Sequence, residues 1–160
     1  MLKRENDLIL IAILSFILLV LISAFVIEYG LDHQPCKLCL YERIPYILSL
    51  LLIVKILFVK KYEKITLFVL FLIFVASTVL AFYHFGIEQG FFSESFVCKV
   101  KDLSGILSKE QLLEQLKKNS VSCKDVSFRV LGLSLASINT ILSFILSVIF
   151  IKLFLNYGKN

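Results

Sequence analysis

Long uncharged runs dominate the polarity pattern of this chain, and short polar segments separate them. Leu8 to Ile27 carries no charge, and Ile44 to Val59 is apolar except for Lys55. Ile65 to Tyr83 is again uncharged, and Val130 to Leu155 is apolar except for Lys152. A helix needs about 20 residues to cross roughly 30 Å of hydrocarbon. The first and third runs meet this alone. The second does so if its helix starts near Cys36 or Leu40, and the fourth is long enough to cross with tilt. The pattern predicts an all-α membrane protein, an antiparallel four-transmembrane-helix bundle. Its expected spans are 8–27, 40–59, 65–83 and 130–155, in one membrane domain over 1–160. The loops 28–39 and 84–129 then lie on one side.

Lys3 and Arg4 ahead of the first run raise the question of a cleaved leader. Secretory apolar cores are about 7–15 residues long and end in a small-residue cleavage site. This run is longer and Ser23-Ala24-Phe25 is a poor site, so an uncleaved anchor is expected. Lys55 lies close to Lys60 and Lys61, and its long stem is expected to carry the ammonium to that interface.

Composition agrees with the pattern. Hydrophobic residues make up 59% of the 160 and the mean hydropathy is +0.91, against about 45–50% apolar in soluble domains. The net charge of +5 comes from basic residues that flank apolar runs. They form no separate basic face, which argues against a nucleic-acid partner. Lys3, Arg4, Lys60, Lys61 and Lys64 favour cytoplasmic termini. The long loop counts the other way, with Lys99, Lys101, Lys109, Lys117, Lys118, Lys124 and Arg129. Cysteine placement decides: Cys36, Cys39, Cys98 and Cys123 all fall in the two connections on one side, as disulfides outside the cytoplasm require. Four cysteines allow three pairings, of which Cys36–Cys39 with Cys98–Cys123 is the simplest.

Ser93 to Arg129 is the only sizeable polar stretch and is too small for a core of its own. Ser108-Lys109-Glu110-Gln111 has capping-box spacing. Leu112, Leu113 and Leu116 follow at helical intervals, so a short amphipathic helix is expected in this loop. Gly105 and nearby serines suggest a mobile Cys98–Cys123 bond open to thiolate attack.

The densest chemistry lies in Gln34-Pro35-Cys36-Lys37-Leu38-Cys39-Leu40-Tyr41-Glu42-Arg43. Pro35 suits a first helical position. Cys36 then falls in the first turn, where free N–H groups and the helix dipole stabilise a thiolate. Cys36, Cys39 and Arg43 share one helix face, although Pro45 is a candidate kink. Arg43 is either an interfacial arginine paired with Glu42 or lipid phosphate, or a donor to a thiolate and a carbonyl oxygen. A purely structural clip would close too small a loop to stabilise much, and structural zinc usually takes two close pairs. His84, at the end of the third run, reaches the depth of Cys39 and Arg43, with Glu88 one turn later placed to orient it. His33 is assigned no role. Gly132, Ala136, Thr140, Ser143 and Ser147 are small-residue helix contacts.

The Pro35-Cys36-x-x-Cys39-x-Tyr41-Glu42-Arg43 motif resembles the signature of the bacterial disulfide-bond formation protein DsbB family. So do the His84-Phe85-Gly86-Ile87-Glu88 run and the widely spaced Cys98/Cys123 pair before the fourth span. The resemblance covers nearly the whole chain. It implies an inner-membrane protein with cytoplasmic termini and periplasmic cysteine loops. Such a protein reoxidises a periplasmic DsbA-type thiol oxidase and passes the electrons to a quinone, ubiquinone or menaquinone, with no metal. Carried over, Cys98 and Cys123 would meet DsbA, with Cys98 the site of the mixed disulfide. Cys36 and Cys39 would accept the electrons next, and Cys39 would face the quinone. Arg43, His84 and Glu42 would bind the quinone, with His84 at a family position near it. DsbA stands at about −120 mV, and each 30 mV is about 1.4 kcal/mol for two electrons, so its reoxidation requires a strongly oxidising acceptor. Two other readings fit the residues less closely: a quinone oxidoreductase of the vitamin K epoxide reductase type, and a non-enzymatic scaffold stapled by disulfides or zinc.

Overall fold

The computed structural model describes residues 2–93, 98, 122–124, 129–130 and 132–157. The helix expected around 108–118 lies outside them. Four long helices make up most of the described chain: α1 (Leu2–Phe25), α2 (Lys37–Phe58), α3 (Glu63–Glu88) and α4 (Leu135–Asn156). A π-helical turn, Val26–Gly30, extends α1. Two short strands, β1 (Arg129–Val130) and β2 (Leu133–Ser134), pair antiparallel with Arg129 opposite Ser134. Three stretches are long and apolar enough to cross a membrane: Asn6–Gly30, Glu63–Glu88 and Leu135–Asn156. α2 is of similar length but carries Lys37, Glu42, Arg43 and Lys55.

The helix ends depart from the expected limits for local reasons. α3 runs past Tyr83 to Glu88, so residues 84–88 are helix and not loop. It stops at Gly90, whose φ of +78° is the left-handed conformation glycine tolerates. Phe91 N–H then reaches back to the Gly86 carbonyl at 2.8 Å and Gly90 N–H to Ile87 at 3.0 Å, closing a Schellman motif. α4 begins at Leu135 rather than Val130, because the β-hairpin occupies the preceding residues. Ser134 caps it by accepting from Ser137 N–H at 3.2 Å. Gly132 therefore sits in the hairpin turn and outside the small-residue stripe, while Ala136, Ser143 and Ser147 are buried in α4 as that stripe requires. α2 continues through Pro45 without interruption.

Contacts join the start of one helix to the end of its neighbour, so adjacent helices run in opposite senses. Glu28 pairs with Arg43, and Asp7 with Lys60 just beyond α2. Lys55 Nζ donates to Thr66 Oγ1 at 3.0 Å, so this lysine has a protein partner beside the interface. Between α3 and α4, Tyr157 meets Glu63, Phe68 meets Phe154, Phe74 stacks on Phe150 and Ser77 meets Ser143. The outer surface is far more apolar than that of a soluble domain. Ser49, Ser77 and Ser143 are fully buried, whereas Leu19, Leu51, Val79 and Phe144 point outward. A surface this apolar belongs against another apolar phase. Inside, Leu10, Ile17, Ile53, Leu70, Phe74 and Phe150 form the core.

Candidate functional site

The site is built around the first residue of the Cys-x-x-Cys pair. Cys36 is the N-cap of α2 and not a first-turn residue: its ψ of 166° is extended and its Sγ accepts from Cys39 N–H at 3.2 Å. Cys36 and Cys39 are not disulfide-bonded, and their Sγ atoms lie 2.7 Å apart. The hydrogen bond from Cys39 lowers the Cys36 thiol to about 5 against the upward push of burial, and His84 adds to the lowering. The two sulfurs and a His84 nitrogen lie within 4.8 Å of one another. Two thiolates sharing a tetrahedral zinc at about 2.3 Å would stand roughly 3.8 Å apart. The two sulfurs stand closer than that, in direct contact with each other.

Because α3 continues through His84, this histidine is held inside the bundle and is buried. Its Nε2 faces Cys36 Sγ at 3.5 Å, and its Nδ1 donates to Glu42 Oε1 at 2.7 Å. Glu42 is buried too, and its other oxygen accepts from Asn139 Nδ2 at 2.7 Å. Asn139 Oδ1 in turn accepts from Tyr46 Oη at 2.5 Å, and Tyr46 reaches Ser143 at 3.0 Å. A buried carboxylate with both oxygens satisfied holds one histidine tautomer, with Nε2 left to exchange a proton with sulfur. Glu88 Oε1 lies 3.9 Å from the same Nε2.

Arg43 points to the other side. It pairs with Glu28 in the π-helical turn rather than with Glu42, and its guanidinium lies over the Phe25 ring at 5.1 Å. A cavity of about 430 Å³ opens between these groups, within the usual size for a small-molecule site. Cys39, Glu42, Arg43, His84, Glu88 and Asn139 supply its polar wall, and His33 also lines it.

Cys98 and Cys123 are disulfide-bonded across 25 residues of sequence. Both are buried, at 2% exposure each, and pack with Cys36, Leu38 and Ile87 in one cluster. The expectation of an open, exposed bond is therefore corrected: Ile87 and Leu38, carried on the helix ends, cover the sulfurs. Gly86 shapes the same corner, since a Cβ there would stand 2.2 Å from the Phe92 ring. The structure thus brings all four cysteines to one end of the bundle, with Arg43, His84 and Glu42.

A sequence model of the family described as disulfide bond formation protein DsbB matches residues 6–153. The chain belongs to the DsbB family. A relative from Rickettsia prowazekii (strain Madrid E), an uncharacterized protein, is 28% identical over 153 residues, covering 94% of this chain and 88% of the relative. A DsbB family chain with three helices able to cross a membrane is a multi-pass membrane protein of disulfide bond formation. Three site residues of this DsbB protein escape a reading of the sequence: Glu28, Asn139 and Tyr46. Glu28 closes an uncharged run and reads as an interfacial residue. Asn139 is a lone amide in an apolar helix, and that isolation is the signal which could have found it.

Proposed function

We propose that this chain is a membrane thiol oxidase that reoxidises a periplasmic DsbA-type dithiol and delivers the electrons to a membrane quinone. The observation that carries the reading is the packing of the Cys98–Cys123 bond against Cys36 in one buried cluster, while Cys36 and Cys39 also line the cavity. Once the corner around Leu38 and Ile87 opens to admit it, an incoming dithiol attacks Cys98, and its second thiol then displaces Cys98 from the mixed disulfide, leaving Cys98 and Cys123 reduced. These two then reduce a Cys36–Cys39 disulfide by the same exchange. Each exchange breaks one S–S bond and forms one, so two electrons and two protons move inward together.

A quinone supplies the final two-electron oxidation when bound. The cavity suits a flat carbonyl-bearing ring: Leu21, Ile138 and Leu142 form apolar walls, and Arg43, His84 and Asn139 carry donors. Four antiparallel spans, α2 included, set the cysteine end at the periplasmic face of the inner membrane. Lys3, Arg4, Lys60, Lys61 and Lys64 then lie at the cytoplasmic face. The first-turn N–H groups of α2 hold Cys36 as a thiolate.

The test is oxidation of a reduced DsbA-type dithiol by purified protein, with ubiquinone, menaquinone or neither. Oxidation should require a quinone and should vanish in Cys39→Ser. Unchanged turnover in that variant, or stoichiometric zinc with all thiols reduced, sinks the reading.

A further inference from the structure

Closing Cys36–Cys39 releases two electrons together with the Cys39 proton and the proton held by the Cys36–His84 pair, and the route of the latter is written in the contacts around His84. We propose that Glu88 is a further catalytic residue, which takes the proton of the Cys36–His84 pair from His84 Nε2 and passes it to the electron acceptor in the cavity. The inference rests on the thiol-to-quinone reading above and goes beyond it, because it assigns a proton path to a residue with no role there.

Four observations converge. His84 Nε2 stands between Cys36 Sγ at 3.5 Å and Glu88 Oε1 at 3.9 Å, so one nitrogen faces both donor and acceptor. Glu42 cannot serve as the exit, because His84 and Asn139 occupy both of its oxygens. Glu28 is likewise held by Arg43. Glu88 alone among these carboxylates keeps a buried oxygen, Oε2, with no hydrogen-bond partner among the described residues, and its side chain lines the cavity. An orphaned buried carboxylate oxygen is costly unless it gains a partner or a proton.

Among the described residues the groups facing this pair are few. α2 contributes Cys36, Cys39 and Glu42, and Arg43 on the far wall is neutralised by Glu28. α4 and its cap contribute the neutral Asn139 and Ser134, and Ser134 Oγ is engaged with Ser137. Tyr46 and His33 also belong to the titratable lining. The balance closes. Cys36 and Cys39 lose two electrons and gain an S–S bond, while Cys39 and the Cys36–His84 pair each give up one proton. The quinone-class acceptor gains both electrons and both protons, one of them carried by His84 to Glu88 and onward.

The test uses the full chain in lipid or detergent, with Glu88→Gln and Glu88→Asp. Without any acceptor, infrared difference spectra of reduced minus oxidised protein should show a protonated-carboxyl band. The band should be absent in Glu88→Gln and shifted but present in Glu88→Asp. With a short-chain quinone, single-turnover oxidation of the reduced cysteines should slow about 10–100-fold in Glu88→Gln. It should also gain a rate that climbs as pH falls, because the proton then comes from solvent. A band that survives Glu88→Gln, or a wild-type rate with a wild-type pH profile in that variant, overturns the relay. Wild-type protein that shows the band yet never reduces quinone overturns the thiol-to-quinone reading instead, so the two failures are distinct.

Discussion

The two ends of the bundle are built on opposite principles. At the end away from the cysteines, Leu10, Ile53, Ile56, Leu67 and Leu70 fill the interior, and Phe74 and Phe150 stack with ring centres 5.5 Å apart. Polar pairs there are single and closed: Asp7 with Lys60, Lys55 with Thr66, Tyr157 with Glu63. At the cysteine end the interior itself is polar. Glu42, His84, Asn139 and Tyr46 form one connected chain, and the apolar cluster beside it is mostly sulfur. Buried charge is weak evidence for stability, because desolvation offsets much of the attraction. The far end therefore reads as scaffold, and the cysteine end as the place where stability is given up for reactivity.

The largest effect that could break this division is expected from Phe150→Ala. Phe150 is completely buried, and removing its ring should cost about 3 kcal/mol through the cavity left behind. Denaturant unfolding in detergent measures the loss. Turnover per folded molecule should stay at the wild-type value, and a fall in that ratio would mean the two ends are coupled. Glu42→Gln is the complementary change and should cost about 2 kcal/mol, because one amide hydrogen is left facing a donor. Unlike the first variant it should depress turnover of the folded fraction. It should also raise the titration midpoint of Cys36, because the imidazole that faces the sulfur loses its anionic partner.

That midpoint is itself a prediction. Alkylation of reduced folded protein at Cys36 should titrate at about 5, and near the ordinary value of 9.0 after denaturation. The folded value is the depressed one. Its contribution to the stability of the reduced form is therefore complete above about 9 and is lost as pH falls through about 5. Unfolding of the reduced protein against Cys36→Ser across that window measures it, and a constant difference between the two would contradict the hydrogen bonds drawn around the sulfur.

Much of this was legible in the sequence, and unevenly. Uncharged runs announced the helices because the length needed to cross hydrocarbon leaves few alternatives. The Cys-x-x-Cys spacing, Arg43 and His84 drew attention because each is expensive where it sits. Helix ends were less legible. Nothing in a run ending at Tyr83 says that the helix continues to Glu88, since the stop is a Gly90 conformation that emerges only once the chain turns. Partner choice was hidden for a similar reason. Arg43 is adjacent to Glu42 in sequence, yet neighbouring helical positions do not face each other, and each residue found its partner on another element. The shielding of the Cys98–Cys123 bond depends on Leu38 and Ile87 from two separate helices, and no local pattern encodes that.

The smallest effect should come from the scaffold end. Lys60 and Asp7 form an ion pair with side chains 36% and 32% exposed. Water and salt screen such a pair, and holding two side chains together costs entropy, so its net worth is on the order of 0.5 kcal/mol or less. Lys60→Ala should therefore shift the unfolding midpoint barely, and the small shift should shrink further as salt is raised. Glu28→Gln at the other end removes one partner of a pair only 15% and 17% exposed. It should cost clearly more and respond less to salt, because the guanidinium it abandons stays out of water against Phe25. Equal costs for the two variants would erase the distinction between the ends. A larger cost for Glu28→Gln that persists at high salt would place the difference in burial, and so in the wall of the cavity that Arg43 shares with Cys39.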